Sequence, residues 1–188
     1  MNPMRPKAFF AATARVSVKS FTLVEILVVI SIIGLLAGLS FPAIQGAQTA
    51  ARKGKAKAEM QSIITALKSY QNEYGRLPNP SAVGGGGDGY FSDSASPRLF
   101  LMLSGATNDS SGENPRQIAF LELPASSTNG SFPDPWKRNY LLKIDTDGDN
   151  VVEYYGNKNG VALVISLGKN GQQEDPASSK SDDVYSFK

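Results

Sequence analysis

The 188-residue chain has no cysteine and no histidine. Without cysteine it can form no disulfide, thiolate metal site or iron–sulfur cluster, and its redox compartment cannot be read. Without histidine it has no Ser-His-Asp triad, no imidazole-bound zinc and no imidazole general base or pH switch. It also lacks an excess of one charge. Lys+Arg 19 against Asp+Glu 17 leaves +2, which is no footing for a nucleic-acid interface. No GxxxxGK[ST] pattern exists, so the GGGGDG run at 84–89 is a loop rather than a phosphate cradle. No carboxylate pair or nucleophile–base arrangement can be picked out, and the chain is not expected to be an enzyme. What remains is carboxylates, amides, hydroxyls and carbonyls, a set suited to hard cations and to assembly.

What is present is unevenly spread. Residues 1–20 hold Arg5, Lys7, Arg15 and Lys19 and no acid; residues 21–44, FTLVEILVVISIIGLLAGLSFPAI, carry Glu25 as their only charge. About 20 apolar residues suffice to cross a bilayer. A secretory signal competes for this reading, but the run is too long, bears a carboxylate near its start and lacks a small-x-small cleavage site. A carboxylate inside lipid is costly unless paired, which makes Glu25 a functional candidate. Gly34 and Gly38 form a GxxxG pair, a weak helix-packing signal.

Beyond Pro42, the residues Ile44, Ala47, Ala51, Ala58, Met60, Ile63, Ile64, Leu67, Tyr70 and Tyr74 recur at helical spacing and predict an amphipathic helix that stops at Gly75. If it continues from the apolar run it is about 54 residues and about 80 Å long, with Pro42 and Gly54 as weak points. Arg52, Lys53, Lys55 and Lys57 read as a solvated face or as cations near lipid headgroups. Residues 76–135 predict long loops around one apolar segment, Pro97–Ser104. The last third predicts strands at Asn139–Ile144, Val151–Tyr155, Val161–Leu167 and Val184–Phe187. So few short strands need a partner surface, and the apolar stripe of the 45–74 helix supplies it. The fold class is α+β, with a long N-terminal helix packed on a small antiparallel sheet.

The string SFTLVE at 20–25, followed by its apolar run, resembles the processing and methylation motif of type IV pilins and type II secretion pseudopilins. Ser20 stands where the family has glycine. The resemblance implies cleavage between Ser20 and Phe21, N-methylation of Phe21, and pairing of Glu25 with the freed amine of a neighbouring subunit. It places Gly34 and Pro42 where assembled subunits of this family lose helical structure. It divides the chain into a leader at 1–20, a transmembrane assembly helix at 21–44, the amphipathic helix of a soluble domain at 45–75, and a periplasmic loop-rich region with the sheet at 76–188.

DPWKRNY at 134–140, SLGKNG at 166–171 and Asp182-Asp183-Val184 are similar to the C-terminal elements of the major pseudopilin of type II secretion. That resemblance implies a calcium site made by the Leu167 carbonyl, Asn170 (in place of aspartate), Asp182 and Asp183; Trp136 reads as a structural anchor between loop and helix. The expected function is a pseudopilin of the inner membrane, single-pass, with its C-terminal domain in the periplasm. Its partners would be its own copies, minor pseudopilins, the prepilin peptidase and the inner-membrane assembly platform. A type IV or competence pilus subunit, and a membrane-anchored calcium-binding module that never polymerises, are the alternatives. A second acidic group, Asp145, Asp147 and Asp149, has the first three spacings of an EF-hand loop. Asn150 at position 6 and Gly156 at position 12 break that pattern, leaving an Asx-rich turn or a cation site open.

Overall fold

A computed structural model describes residues 21–86, 89–92, 94–107, 109–125, 127 and 129–187. The chain divides into two compact units, Met1–Gln45 and Gly46–Lys188. Helix α1, Leu23–Tyr74, contributes to both.

In the first unit every described side chain from Phe21 to Phe41 is exposed, including fourteen large apolar ones, Phe21 (78%) and Leu23 (81%) among them. Such a segment is unstable in water and suited to lipid, and α1 is long and apolar enough to cross a membrane. Helical backbone satisfies its own N–H and C=O groups, which lipid requires. The hydroxyls of Ser31 and Ser40 follow the same rule, donating to the carbonyls of Leu27 and Leu36, each at 2.8 Å. The helix runs through Gly34, Pro42 and Gly54 without a break.

In the second unit α1 buries Ala56, Met60, Ile63, Ala66, Leu67 and Tyr70, a stripe spaced by threes and fours. Each large apolar side chain fully removed from water here contributes about 1.5–3 kcal/mol. The expected stripe was too generous. Ile44, Ala47, Ala51 and Ala58 are exposed, because Ala58 lies about 200° around the helix from Ala56 and the others precede the point where the core begins. Tyr74 ends α1 as expected: Gly75 takes φ +72° and donates its N–H to the Gln71 carbonyl at 2.8 Å.

The apolar segment near residue 97 is a short helix, α2 (Ser96–Leu103), with a proline in its first turn and Leu99, Phe100, Met102 and Leu103 buried. The strands are β1 (Tyr90–Phe91), β2 (Leu141–Ile144), β3 (Val152–Tyr154), β4 (Asn157–Asn159), β5 (Ala162–Ser166) and β6 (Val184–Tyr185). One antiparallel sheet runs β1-β2-β5-β6, with Leu142 opposite Val164 and Ser166 opposite Val184; β3 and β4 form a separate hairpin.

Period-two alternation divides the sheet. Leu142, Ile144, Ala162, Val164 and Val184 join the α1 stripe and α2 in the main core, with Trp136 packed on its margin. Leu141, Leu163, Ile165 and Tyr185 face the other way and meet Val152, Tyr154, Leu167 and Phe187. Strand β5 is therefore buried along its whole length. The Tyr140 hydroxyl ties sheet to helix by donating to Glu59 Oε2 at 2.6 Å. Burial and that carboxylate push its ionisation far above the ordinary value.

Candidate functional site

Three places hold most of the residues singled out by sequence. At the start of α1, Thr22 and Glu25 close on each other. The Glu25 backbone N–H donates to Thr22 Oγ1 at 3.2 Å, while the Thr22 N–H and hydroxyl both donate to Glu25 Oε2 at 2.9 Å. This is a capping box, satisfying helix-start donors reciprocally. Threonine three residues before glutamate is a readable sequence sign that the assembly reading of Glu25 left aside. The box gives the carboxylate local partners within an otherwise apolar stretch. Phe21 lies exposed just before it, Gly34 has open space around the position of a Cβ, and Ser20 falls outside the described residues.

The second place is the loop after β5. Gly168, at φ +58°, turns the chain so closely against Asp182 that a Cβ would stand 2.5 Å from the Asp182 carbonyl oxygen. This brings the N–H groups of Lys169 and Asn170 onto Asp182 Oδ2, at 2.8 and 3.1 Å. Glu174 joins from the following segment. Its Oε1 accepts from Asn170 Nδ2 at 3.0 Å and its Oε2 from the Asp182 N–H at 2.9 Å. Asp183 Oδ2 accepts from the Glu174 N–H at 2.8 Å and the Tyr185 hydroxyl at 2.9 Å. Carboxylate oxygens of Glu174, Asp182 and Asp183 lie within 4.8 Å of one another.

Burial raises the Asp183 carboxyl above its ordinary value, and the Glu174 and Asp182 charges add to this against the two hydrogen bonds on Oδ2. The other oxygen of each aspartate, Asp182 Oδ1 and Asp183 Oδ1, is buried without a hydrogen-bond partner, as is Ser181 Oγ. Unpartnered buried anionic oxygens are costly, and a cation is what such a donor set fits. Of the four ligands expected from the resemblance, Asn170, Asp182 and Asp183 come together. The Leu167 carbonyl accepts the Gly171 N–H at 3.0 Å, and Asn170 Oδ1 accepts the Gln172 N–H at 2.8 Å. Glu174 was missed; its sign is an acid four residues after Asn170 in a polar loop.

The Asp145, Asp147 and Asp149 group behaves differently. Asp145 is buried, but its oxygens accept the N–H groups of Asp147, Gly148 and Asn150 at 2.8–3.0 Å. Burial alone would raise Asp145; those N–H donors hold it below its ordinary value, while the hydrogen-bonding contact with Asp145 raises Asp147. The Asx-rich turn accounts for this loop. A polar cleft of about 700 Å³ lies between it and the α1 end, with Glu113 in its wall. Glu113 accepts from Arg76 Nη1 at 2.6 Å, the Asn79 N–H at 3.1 Å and the Tyr70 hydroxyl at 3.3 Å, which pins the turn after α1.

Residues 15–41 match the family model for the prokaryotic N-terminal methylation motif. The chain is 34% identical over 119 residues to the type IV major pilin protein PilA of Myxococcus xanthus, covering 61% of this chain and 50% of that one. It is 39% identical over 61 residues to the type II secretion system core protein G of Pectobacterium carotovorum subsp. carotovorum, covering 32% of this chain and 39% of the relative. The chain thus spans half or less of the length of these curated relatives. No solved structure matches.

Proposed function

We propose that this chain, which bears the prokaryotic N-terminal methylation motif and is type IV pilin-like in sequence and fold, is a pseudopilin of a type II secretion system. A prepilin peptidase cuts it between Ser20 and Phe21 and methylates Phe21. It then anchors by one span in the inner membrane with its soluble domain in the periplasm, and polymerises on the assembly platform with minor pseudopilins into a pseudopilus that drives export. The observation carrying this reading is the fully exposed apolar helical segment whose single charge, Glu25, sits at its third helical position. In a growing polymer the Phe21 amine of one subunit meets Glu25 of the next, neutralising two charges in hydrocarbon and fixing register. Gly34 and Pro42 supply the places where the helix can open. The chain is a structural subunit and catalyses nothing.

Calcium is proposed at the C-terminal loop, held by Asp182, Asp183 and Glu174 with Asn170 and the Leu167 carbonyl beside them. It would supply the positive charge that the two unpartnered oxygens call for and lock the C-terminal strand to β5. A type IV pilus subunit is the second reading, favoured by the longer stretch matched in the PilA relative.

Mass spectrometry of the purified N-terminus tests the shared part: methylated Phe21 is expected, and an intact Met1 sinks both readings. A deletion strain separates them, since loss of exported proteins with surface filaments intact marks a pseudopilin and the reverse marks a pilin. Melting with calcium and with chelator tests the metal; coincident curves remove it.

A further inference from the structure

The turn that closes the DPWKR segment is bolted to the C-terminal loop at two points. Asp134 Oδ1 accepts the N–H groups of Trp136 and Arg138, both at 2.9 Å, and its Oδ2 accepts the hydroxyl of Ser166 at the end of β5. The Asp134 N–H in turn donates to the Arg138 carbonyl at 2.7 Å. This fixes the base of Arg138, whose side chain reaches the loop after β5. Its Nη1 donates to the Gly168 carbonyl at 2.9 Å and to the Lys169 carbonyl at 3.4 Å. The guanidinium lies on the Cα of Gly171, where a Cβ would come within 2.2 Å of its Cζ.

Those two carbonyls belong to particular peptide groups. The Gly168 carbonyl shares its peptide with the Lys169 N–H, and the Lys169 carbonyl shares its peptide with the Asn170 N–H. Both N–H groups donate to Asp182 Oδ2. Cation, two peptide groups and carboxylate therefore form one continuous chain of hydrogen bonds. No ion pair joins the two side chains directly, yet the charge on Arg138 polarises each peptide in the sense that strengthens its N–H as a donor to an anion.

We infer that Arg138 is the counter-charge of Asp182, coupled to it through the two intervening peptide groups, and that this coupling positions the carboxylate. With Oδ2 held by two strengthened donors, Oδ1 is left buried and unpartnered. Arg138 touches no carboxylate of the cluster; it acts through the loop. The polarised loop stands whether or not a metal binds, whereas the role of Arg138 in aiming Asp182 at a cation rests on the calcium reading above. Outer partners of this kind typically change metal affinity about 10–100-fold when removed.

The test uses the isotopically labelled full chain in detergent micelles, first with chelator present. Arg138→Gln removes the charge and, with a side chain two atoms shorter, the contact with both carbonyls. It should move the amide protons of Lys169 and Asn170 upfield and speed their hydrogen exchange roughly tenfold, leaving the β5 amides unchanged. Arg138→Lys restores part of both effects. Calcium is then titrated calorimetrically, and Arg138→Gln should weaken it roughly tenfold. Amides that do not respond to Arg138→Gln overturn the coupling. Amides that respond while calcium binds the variant as tightly as the parent overturn the positioning role. Should the parent bind no calcium while its amides respond, the metal reading fails and the coupling stands.

Discussion

Gly168 offers the sharpest test of how the C-terminal loop is built. It takes φ +58°, and a Cβ there would meet the Asp182 carbonyl oxygen at 2.5 Å and both the Asp182 carbonyl carbon and Cγ at 2.8 Å. Gly148 is the matched control: φ is +82° with nothing within 4 Å. Gly148→Ala should therefore cost only the left-handed backbone penalty, about 1–2 kcal/mol. Gly168→Ala adds a clash that can be relieved only by moving Asp182 away from the N–H groups of Lys169 and Asn170. Hydrogen bonds to a charged acceptor are worth about 1.5–3 kcal/mol each, and partial loss of both brings the total to about 3–5 kcal/mol. At about 2–4 °C per kcal/mol for a domain of this size, the expected drops are a few degrees for Gly148→Ala and roughly 10 °C for Gly168→Ala. Circular dichroism melts of both variants in chelator measure the difference. Equal drops, within about 2 °C at this scale, would refute the close seat of Gly168 on Asp182.

Lys137 sits at φ +71° in the DPWKR turn, so Lys137→Gly should raise stability by about 1 kcal/mol, read as a melting increase of a few degrees. Burial works to raise Glu113, but the Arg76 and Asn79 donors hold it below its ordinary value of 4.5. A depressed folded value gives stability that is present above pH 4.5 and lost as pH falls through the folded value. Glu113→Gln should cost about 2 kcal/mol at pH 7, and the gap to the parent should narrow in melts below pH 4. Tyr140→Phe removes the hydroxyl bonded to Glu59 at 2.6 Å and should cost about 1 kcal/mol in denaturant titrations, since Glu59 retains access to water.

Helical spacing made the second half of the long helix legible and an unbroken apolar run its first half, while short apolar runs between turn residues marked strands β2, β3, β5 and β6. The short helix α2 was visible only as an apolar segment, too brief for its period to decide. Strands β1 and β4 left no such mark. β1 is two residues at the end of a glycine-rich loop, held by pairing with Leu142 and Lys143, and β4 is Asn157–Asn159, polar throughout and ordered by its hairpin partner. That Asn170, Asp182 and Asp183 lie together followed from the family resemblance. Glu174 and Arg138 were not legible, because what places them is a loop closure around Gly168 and a turn around Asp134, neither of which spacing along the chain encodes.

The order β1-β2-β5-β6 puts two-residue strands at both margins of the main sheet. A long bare margin is a template on which another chain can add strand by strand, the route to amyloid. Here a second copy finds only two residues on either side. A second copy is thereby denied lateral growth through this sheet, and among the described residues the exposed apolar part of α1 is the large bare apolar surface that remains. Lengthening β1 or β6 by apolar residues would open a competing road to insoluble aggregates without touching the helix at all.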